Sequence, residues 1–239
     1  MTSKLTRAEV VTRIQATGVV AVLRLTDAAA GREVAEALIA GGVTALEVTM
    51  TVPRAVALIE ELCGSLPAGC IVGAGTVTNA NTAADVMRAG ARFVVGPVLR
   101  RDVIAVCREW DVPVMPGCFT PTEIFEAWEA GADIVKVFPA TSLGPGFFKD
   151  LRGPMPHVKL MPTGGVTKEN AGDWIRAGAA AIGVGTALVD AKALAERRAS
   201  LNDITASAKH FVQAVAEARR PVRAVHGVPA DRQSGGGKT

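Results

Sequence analysis

The stretch GVVAVLRLTDAAAGREVAEALIA, residues 18–40, joins a short β-branched run to a run with helical spacing. The first part is typical of a buried strand and the second of an amphipathic helix. A doubly wound dinucleotide-binding sheet would carry G-x-G-x-x-G directly after its first strand. Here the strand ends in LRLTD, residues 23–27, so the fingerprint is missing where that fold requires it.

The same order of strand and helix recurs up to about residue 190, and glycines that suit αL caps close several helical runs. The predicted strands are 18–24, 44–50, 70–76, 92–96, 112–116, 133–139, 157–162 and 179–185. The predicted helices include 5–16, 29–40, 79–89, 168–177 and 202–220. Eight strand–helix units predict an α/β fold, a (β/α)8 TIM barrel with an extra N-terminal helix.

The length and composition fit one barrel-sized domain as well as two smaller ones, and the eight strand–helix units indicate one. The chain has 239 residues, of which 49% are hydrophobic and 21% charged, so it can bury a barrel-sized core. We assign residues 1–220 to this single domain. Residues 221–239 lack apolar periodicity and predict a disordered C-terminal tail.

Composition also excludes several classes of protein. The net charge of +3 comes from interspersed charges, and tyrosine is absent, which predicts no nucleic-acid partner. No apolar run reaches the roughly 18 residues of a membrane span, so no membrane is expected. The three histidines form no H-x-H or H-E-x-x-H pattern, which predicts no metal site and no cofactor.

The cysteines and the N-terminus predict the cellular compartment. The first residues, MTSKLTRAEVVTRIQ, contain no apolar signal core, and no C-x-x-C motif occurs. We therefore expect a cytoplasmic protein with reduced, buried thiols. The four cysteines are Cys63, Cys70, Cys107 and Cys118.

The run ADIVKVFPA, residues 132–140, contains a lysine in the middle of a predicted buried strand. Side chains alternate between the two faces of a strand, so Ile134, Lys136 and Phe138 share one face. Val135 and Val137 on the other face suit the helix layer. Lys136 is therefore predicted to point into the barrel, although buried strands normally exclude lysine.

The same alternation predicts which polar side chains meet this lysine. It places Arg24 on the inner face of strand one and Glu47 on that of strand two. On strand three it aligns Val72, Ala74 and Thr76. Three polar groups are therefore predicted to converge with the lysine near the catalytic end of the barrel. A purely structural ion pair between the lysine and Glu47 is the alternative.

The chemistry that needs a buried lysine is amine catalysis. An ordinary lysine, with a pKa of about 10.4, is protonated and not nucleophilic at neutral pH. Apolar neighbours such as Ile134 and Phe138 disfavour the charged form and release an amine that attacks ketones to form a Schiff base. A nearby carboxylate then transfers protons, and we assign this role to Glu47.

Glycine-rich loops supply the second half of the predicted site. MPTGGV (161–166) and GVGTAL (183–188) close the last two strands, where barrels of this type bind phosphate with backbone N–H groups. A third glycine loop, GAGT at 73–76, is explained by close packing of a helix on a strand. In MPGCFTPTE (115–123) the pattern predicts a helix with Thr120 as N-cap. Cys118 in this segment has no histidine partner and is assigned a structural role.

These motifs together resemble a known family. They are LEVT (46–49), VGAGTV (72–77), MPG (115–117), VKVFPA (135–140), PTGGV (162–166) and GVGTAL (183–188). In this order and spacing they resemble the 2-keto-3-deoxy-6-phosphogluconate (KDPG) and 4-hydroxy-2-oxoglutarate (KHG) aldolases. The resemblance covers about residues 10–217.

The resemblance implies a homotrimeric barrel and a class I, pyruvate-dependent lyase without a cofactor. It implies that Lys136 forms the Schiff base and that Glu47 transfers protons. It implies substrate contacts by Thr76 and Thr163 and a pocket lined by Pro97 and Phe138. The implied phosphate-binding residues are Gly164, Gly165, Gly185 and Thr186.

One position departs from the family pattern. Many members have an arginine two residues after the VT of LEVT, where it binds the keto-acid carboxylate, and this chain has Thr51 there. Other members carry an arginine at the end of strand one, so Arg24 is the predicted carboxylate clamp. The expected reaction is cleavage of KDPG in the Entner–Doudoroff pathway, with KHG as a second substrate. The alternatives are a galactonate-type aldolase, a phosphosugar isomerase without a Schiff base, and a non-catalytic sensor.

Overall fold

The structure, a computed structural model, describes residues 5–221. Apart from its first residue, the tail predicted at 221–239 lies outside the described residues. Among those residues, no helix is long and apolar enough to cross a bilayer.

Nine short strands occur within residues 5–221, and every pairing between them is parallel. They are β1 Val19–Leu23, β2 Ala45–Thr49, β3 Ile71–Gly75, β4 Val94–Val95, β5 Val114–Met115, β6 Gly117–Cys118, β7 Val135–Val137, β8 Leu160–Pro162 and β9 Ile182–Val184. Each falls inside or directly after a predicted strand, so the predicted parallel α/β fold is confirmed.

The strands form two sheets, in the orders β5-β4-β3-β2-β1-β9 and β6-β7-β8. Pro116 alone separates β5 from β6, because proline has no N–H to donate to a ladder. Its carbonyl still accepts a hydrogen bond from the Lys136 N–H at 3.0 Å. At the other edge a bridge between Thr163 and Gly183 joins β8 to β9. The parallel strands therefore curl around a common interior.

Helices separate most of the strands along the chain. They are α1 Arg7–Thr17, α2 Gly31–Ala40, α3 Ala55–Ser65, α4 Ala80–Arg88, α5 Arg101–Glu109, α6 Pro121–Glu129, α7 Gly144–Arg152, α8 Ala171–Arg176, α9 Ala191–Ala195 and α10 Leu201–Ala218. Helix α6 begins as predicted: Thr120 Oγ1 accepts from the Glu123 N–H at 3.3 Å, and the Glu123 carboxylate accepts from the Thr120 N–H at 2.8 Å.

Two apolar cores lie on the two faces of the curled strands. The outer core, between strands and helices, includes Val135 and Val137, as the alternation on β7 predicts. The inner core includes Ile134 of the same segment. The predicted faces of β7 are therefore confirmed.

Helix α1 closes the amino end of the interior. Its buried residues Val10, Val11 and Ile14 belong to the inner core, together with residues at the amino ends of the strands. Arg7 also binds the segment before β7, because its Nε donates to Asp133 Oδ1 at 2.8 Å. Apolar side chains thus fill one end of the interior, and the polar side chains lie toward the other.

The prediction for strand three is wrong. Val72 and Ala74 lie in the outer core, so they do not face the interior. The inner positions of β3 are Ile71 and the two glycines that follow at 73 and 75. Thr76 comes after the last residue of β3 and has a φ of 60°, so it leaves the alternation of the strand.

The prediction that all four thiols are buried is also wrong. Cys107 and Cys118 are buried, whereas Cys63 is exposed and Cys70 is half-buried. Cys63 lies near the carboxyl end of α3 and Cys70 in the turn before β3, outside both apolar cores. All four cysteines are free.

Candidate active site

Lys136 is buried in the middle of β7, with 2% of its surface exposed. It pairs with Gly117 of β6 and Met161 of β8, so a flexible glycine backbone and an apolar side chain flank it. Its Nζ lies 5.0 Å from the centroid of the Phe138 ring. The lysine therefore enters the interior, as the alternation predicts.

Burial lowers the pKa of Lys136, because the charged ammonium loses its hydration. The carboxylate of Glu47 opposes this change, and the nearby positive charge of Arg24 adds to it. The neutral amine is consequently more populated than in an exposed lysine. This is the form that attacks a carbonyl carbon.

Glu47 is fully buried in β2, between Val22 of β1 and Gly73 of β3 in register. Burial raises the pKa of its carboxyl group, while Lys136 and Arg24 act in the opposite direction. Neither carboxylate oxygen has a hydrogen-bond partner among the described residues. A buried carboxyl group without fixed partners is suited to accept and donate protons.

Gly75 provides the space that the Glu47 side chain occupies. A Cβ atom at Gly75 would lie 2.7 Å from both Cγ and Cδ of Glu47 and would overlap its Oε1. At Gly73 a Cβ would instead meet the Phe93 ring, at 2.5 Å. The glycines of GAGT therefore face the interior, which corrects their predicted role in helix–strand packing. Sequence analysis missed Gly75, although its two-residue spacing from Gly73 is a signal of one strand face.

Arg24 lies one residue beyond β1, and its side chain extends to the loop after β9. Its Nη1 lies 2.8 Å from the position that a Cβ would occupy at Gly185. The residue is exposed, and its positive charge acts to lower the pKa of both Glu47 and Lys136. The structure thus brings the predicted carboxylate clamp next to a predicted phosphate loop.

A pair of threonine hydroxyl groups links the end of β2 to the end of β1, next to Arg24 in the sequence. Thr49 Oγ1 donates to the carbonyl oxygen of Leu23 at 2.9 Å. It therefore accepts the 2.7 Å hydrogen bond that links it to Thr51 Oγ1. Thr51 is exposed. Sequence analysis did not predict this hydroxyl pair, because it needs the chain to turn directly after β2.

Thr163 ends the segment of β8 and is 2% exposed. Its Oγ1 has no hydrogen-bond partner among the described residues. A side chain on Gly183 would overlap this hydroxyl group, so the glycine of β9 leaves space for it. Thr163 is therefore a second buried polar group whose hydrogen-bonding capacity is open to a ligand.

The loop after β8 requires its two glycines. Gly164 and Gly165 have φ angles of 84° and 74°, in the left-handed region that favours glycine. The Asn170 side chain holds the loop, since its Nδ2 donates to the Gly165 carbonyl at 2.8 Å and its Oδ1 accepts from the Thr167 N–H at 2.8 Å. After β9, the Gly185 carbonyl accepts from two N–H groups of a tight turn. Both loops therefore have a defined conformation.

The remaining predicted residues lie at the carboxyl ends of neighbouring strands. Phe138 directly follows β7, and its ring approaches Gly164, with Cε2 3.7 Å from the position of a Cβ there. Thr76 and Pro97 follow β3 and β4 and are half-buried, and Thr186 is exposed after β9. The carboxyl ends of parallel strands meet at one edge, so these residues surround the buried pair at the open end.

The described residues provide neither a nucleophilic thiol at Cys118 nor a cluster of metal ligands. The Cys118 thiol donates to the Glu123 carbonyl at 3.4 Å, and burial raises its pKa to about 12. It is therefore a poor nucleophile. Among residues 5–221, no three His, Cys, Asp or Glu side chains cluster in a way that could hold a metal ion.

Comparison with known proteins gives consistent matches. The family model for KDPG and KHG aldolase matches residues 10–206. A 2-dehydro-3-deoxy-6-phosphogalactonate aldolase of Escherichia coli is 34% identical over 183 residues, covering 76% of this chain and 86% of the relative. A 2-dehydro-3-deoxy-phosphogluconate aldolase of Pseudomonas aeruginosa is 38% identical over 142 residues, covering 59% of this chain and 64% of the relative.

A solved structure is similar over most of the chain. The KDPG aldolase of Legionella pneumophila, captured with pyruvate as a covalent carbinolamine intermediate, superposes with a TM-score of 0.77 and 30% identity. The match covers 84% of this chain and 97% of that one. The sequence relatives and this structure therefore agree on one kind of protein.

Proposed function

Because the chain belongs to the KDPG and KHG aldolase family, we propose that it cleaves 2-keto-3-deoxy-6-phosphogluconate into pyruvate and glyceraldehyde 3-phosphate. The observation that carries this proposal is the buried pair of Lys136, 2% exposed, and Glu47, fully buried. Burial shifts the pKa of each group toward its neutral form. A nucleophilic amine and a proton-transferring carboxyl group are what a Schiff-base aldolase requires.

We further propose that the fold is a closed (β/α)8 barrel with α1 as an extra N-terminal helix. The bridge from Thr163 to Gly183 supports closure on one side, and the single residue between β5 and β6 supports it on the other. Counting β5 and β6 as one interrupted strand gives the eight strands of this architecture.

The first steps in this mechanism belong to Lys136. Its neutral amine attacks the C2 carbonyl carbon of the substrate and forms a carbinolamine. Glu47 donates a proton to the departing hydroxyl group, so that water leaves and a protonated Schiff base forms. The iminium carbon then withdraws electrons from the neighbouring carbon–carbon bond.

Glu47 also serves the cleavage step. Its carboxylate takes the proton of the C4 hydroxyl group as the bond between C3 and C4 breaks, and glyceraldehyde 3-phosphate leaves. The remaining enamine accepts a proton at C3, and water hydrolyses the resulting Schiff base to pyruvate and free lysine. Glu47 gives up a proton when water leaves and when the enamine is protonated, and it regains one when the C3–C4 bond breaks and when water adds to the Schiff base, so both residues are regenerated.

Anionic ends of the substrate are bound at the open end of the strands in this proposal. Arg24 binds the keto-acid carboxylate, because a guanidinium pairs with a carboxylate through two hydrogen bonds. Its contact with Gly185 supports this position, since it holds the exposed guanidinium at the carboxyl end of β9. The phosphate is bound by the loops containing Gly164, Gly165, Gly185 and Thr186. Thr76, Pro97, Phe138 and Thr163 line the space between these two ends.

Borohydride trapping with pyruvate tests the proposed function. The expected result is an adduct about 72 Da heavier, the mass of a reduced pyruvyl group on an amine, mapped by peptide mass spectrometry to Lys136. Lys136→Met is the matched control and should give no adduct. A folded wild-type protein that remains unmodified, and that does not exchange the methyl protons of pyruvate with solvent, would instead indicate an isomerase or a sensor.

A galactonate substrate is the second candidate. It is favoured by the relative from Escherichia coli, which is named for 2-dehydro-3-deoxy-6-phosphogalactonate. The two substrates differ in configuration at C4, so the ratio of kcat/KM for the two epimers decides between them. Measuring glyoxylate as the aldehyde partner of pyruvate tests KHG in the same assay.

A homotrimer in the cytoplasm completes the proposal. Large apolar side chains are exposed near the carboxyl ends of β4 and β6, namely Val98 at 52%, Phe119 at 40% and Phe125 at 46%. Such groups are typical of surfaces that a second subunit covers. Light scattering should give three times the chain mass of 24.7 kDa, and cell fractionation should place the protein with other cytoplasmic enzymes.

A further inference from the structure

A cavity of about 380 Å³ lies at the end of the strands opposite the open end. Its walls come from α1, from the end of α3, from the turn before β3 and from the turn before β4. Neither Lys136 nor Glu47 lines it. We call this space the lower cavity, and its size lies in the range of about 300–1,000 Å³ that is usual for small-molecule sites.

Positive charge dominates the lower cavity. Arg13 and Arg92 line it, and no carboxylate does. In the described part of the chain neither arginine forms a salt bridge. Arg13 donates one hydrogen bond, at 3.4 Å, to the carbonyl oxygen of Ala68. Both guanidinium groups therefore retain most of their donor capacity.

The nearest acidic side chain on α1 is engaged elsewhere. Glu9 lies one turn before Arg13, and its Oε2 accepts from the Thr6 N–H at 2.7 Å and from the Thr6 hydroxyl at 2.9 Å. The hydrogen bonds from Thr6 are the main cause of the lowered pKa of Glu9, and the charge of Arg13 also lowers it but is the smallest of the effects on that group. No salt bridge joins Glu9 to Arg13 among the described residues. Glu9 therefore neutralises Arg13 only in part.

The thiols in the lower cavity do not neutralise the arginines. Cys63 and Cys70 both line it. Partial desolvation of its thiol raises the pKa of Cys63 to about 11 although the residue is exposed, and Arg92 acts in the opposite direction. Both thiols are therefore neutral near pH 7, since burial raises the pKa of Cys70 as well. The cavity carries a net positive charge at that pH.

Apolar groups form the rest of the wall. Leu66 and Pro67 line the cavity and keep part of their surface in water, whereas Leu62 and Val72 are already buried. An inorganic anion would leave this surface in contact with water. A ligand with an apolar body would cover it and gain about 25 cal/mol for each Å² removed from water.

We propose that the lower cavity binds a small organic anion, with its oxyanion group between Arg13 and Arg92 and its apolar body against Leu66 and Pro67. Carboxylates and phosphate esters share the oxyanion that a guanidinium recognises. The site is distinct from the proposed catalytic site and does not depend on the aldolase activity.

Protection of Cys63 from alkylation tests this proposal. The wild-type protein is labelled with iodoacetamide, which is neutral, at fixed ionic strength, and peptide mass spectrometry gives the rate at Cys63. The probes are phenyl phosphate, benzoate and inorganic phosphate, with benzyl alcohol as a neutral control. At a probe concentration ten times its Kd, labelling should slow about tenfold, because only the free fraction reacts.

Three variants locate the effect. Arg13→Gln and Arg92→Gln should each weaken protection about tenfold, as expected for the loss of one charge-assisted hydrogen-bonding partner. Each rate is normalised to the same variant without probe, because Arg92 also affects the thiol. Arg24→Gln, which alters the other end of the strands, should leave protection unchanged.

Each result has a defined meaning. Protection by phenyl phosphate or by benzoate supports the proposal, and the stronger of the two identifies the anion class. The proposal is overturned if neither protects Cys63, if both lower-cavity variants remain protected, or if Arg24→Gln abolishes protection. Equal protection by inorganic phosphate or by benzyl alcohol would also contradict it, because the apolar body or the charge would then be irrelevant.

Discussion

Replacing Gly75 by alanine tests whether the space beside Glu47 controls catalysis. The new Cβ would lie 2.7 Å from Cγ and Cδ of Glu47, and real Cβ atoms do not approach so closely. The glutamate must therefore rotate away, because the alanine is part of the backbone of β3 and cannot move independently. The substitution removes no chemical group, so any loss of rate reports the position of the carboxyl group.

The expected loss is large in rate and small in stability. General acid–base catalysis contributes about 10²- to 10⁴-fold, so kcat should fall by a factor in that range. An extra methyl group in a packed interior costs about 1–3 kcal/mol. For a chain of this length each kcal/mol lowers Tm by roughly 2–4 °C. The variant should therefore remain folded at assay temperature while turning over slowly.

The assay measures pyruvate release from the phosphorylated keto acid, together with borohydride trapping at Lys136. Gly73→Ala is the matched control, since its Cβ would meet the Phe93 ring at 2.5 Å and not Glu47. It should lower Tm but retain more of kcat. In the double variant Gly75→Ala/Glu47→Gln the losses should not add, because both changes remove the same group.

Three outcomes would refute the reasoning about Gly75. One is a kcat within fivefold of wild type in a variant with the expected change in Tm. Another is an equal loss of rate in Gly73→Ala, which would indicate a general packing effect. The third is full additivity in the double variant, which would show that the glycine acts apart from Glu47.

The other predictions concern the charged groups of the site. Lys136→Met should abolish turnover and pyruvate trapping while keeping the far-UV circular dichroism spectrum, and residual turnover would reassign the nucleophile. The rate of Schiff-base formation should rise with pH through the lowered pKa of Lys136, because only the neutral amine reacts; a flat profile would contradict this. Between that pKa and the ordinary value of about 10.4 the unfolded chain binds more protons at Lys136 than the folded chain. The free energy of unfolding of wild type relative to Lys136→Met should therefore rise with pH in this window, as denaturant titrations can show. Arg24→Gln should raise KM for pyruvate more than for the aldehyde, and an unchanged pyruvate KM would place the carboxylate clamp elsewhere.

Alternation predicted the buried pair because both residues lie inside unbroken strands. Lys136 and Glu47 have apolar neighbours on each side whose faces can be counted from the sequence. The prediction of the inner face of strand three failed for a physical reason. The inner positions of this strand include Gly73 and Gly75, which have no side chain to mark a face, so Ile71 alone marked the inner face while Val72 and Ala74 marked the outer one.

The spacing of residues along the sequence cannot predict features that are built from distant segments. The lower cavity combines residues near 13, 63, 70 and 92, which only the fold brings together. The contact of Arg24 with Gly185 likewise depends on β1 and β9 being neighbours. The helix cap at Thr120, by contrast, is local, and the sequence alone predicted it.

The helix that closes the amino end of the interior leaves the carboxyl ends of the strands as the approach to Lys136 in the proposed mechanism. Substrate, water and both products share this approach in that mechanism, and we call it the mouth. While pyruvate is still bonded to Lys136 in the proposed mechanism, the aldehyde is the only product free to leave. Excess aldehyde in solution will occupy the mouth and drive the enamine back toward the keto acid. The direction of net flux should therefore depend on how quickly the next enzyme removes the aldehyde.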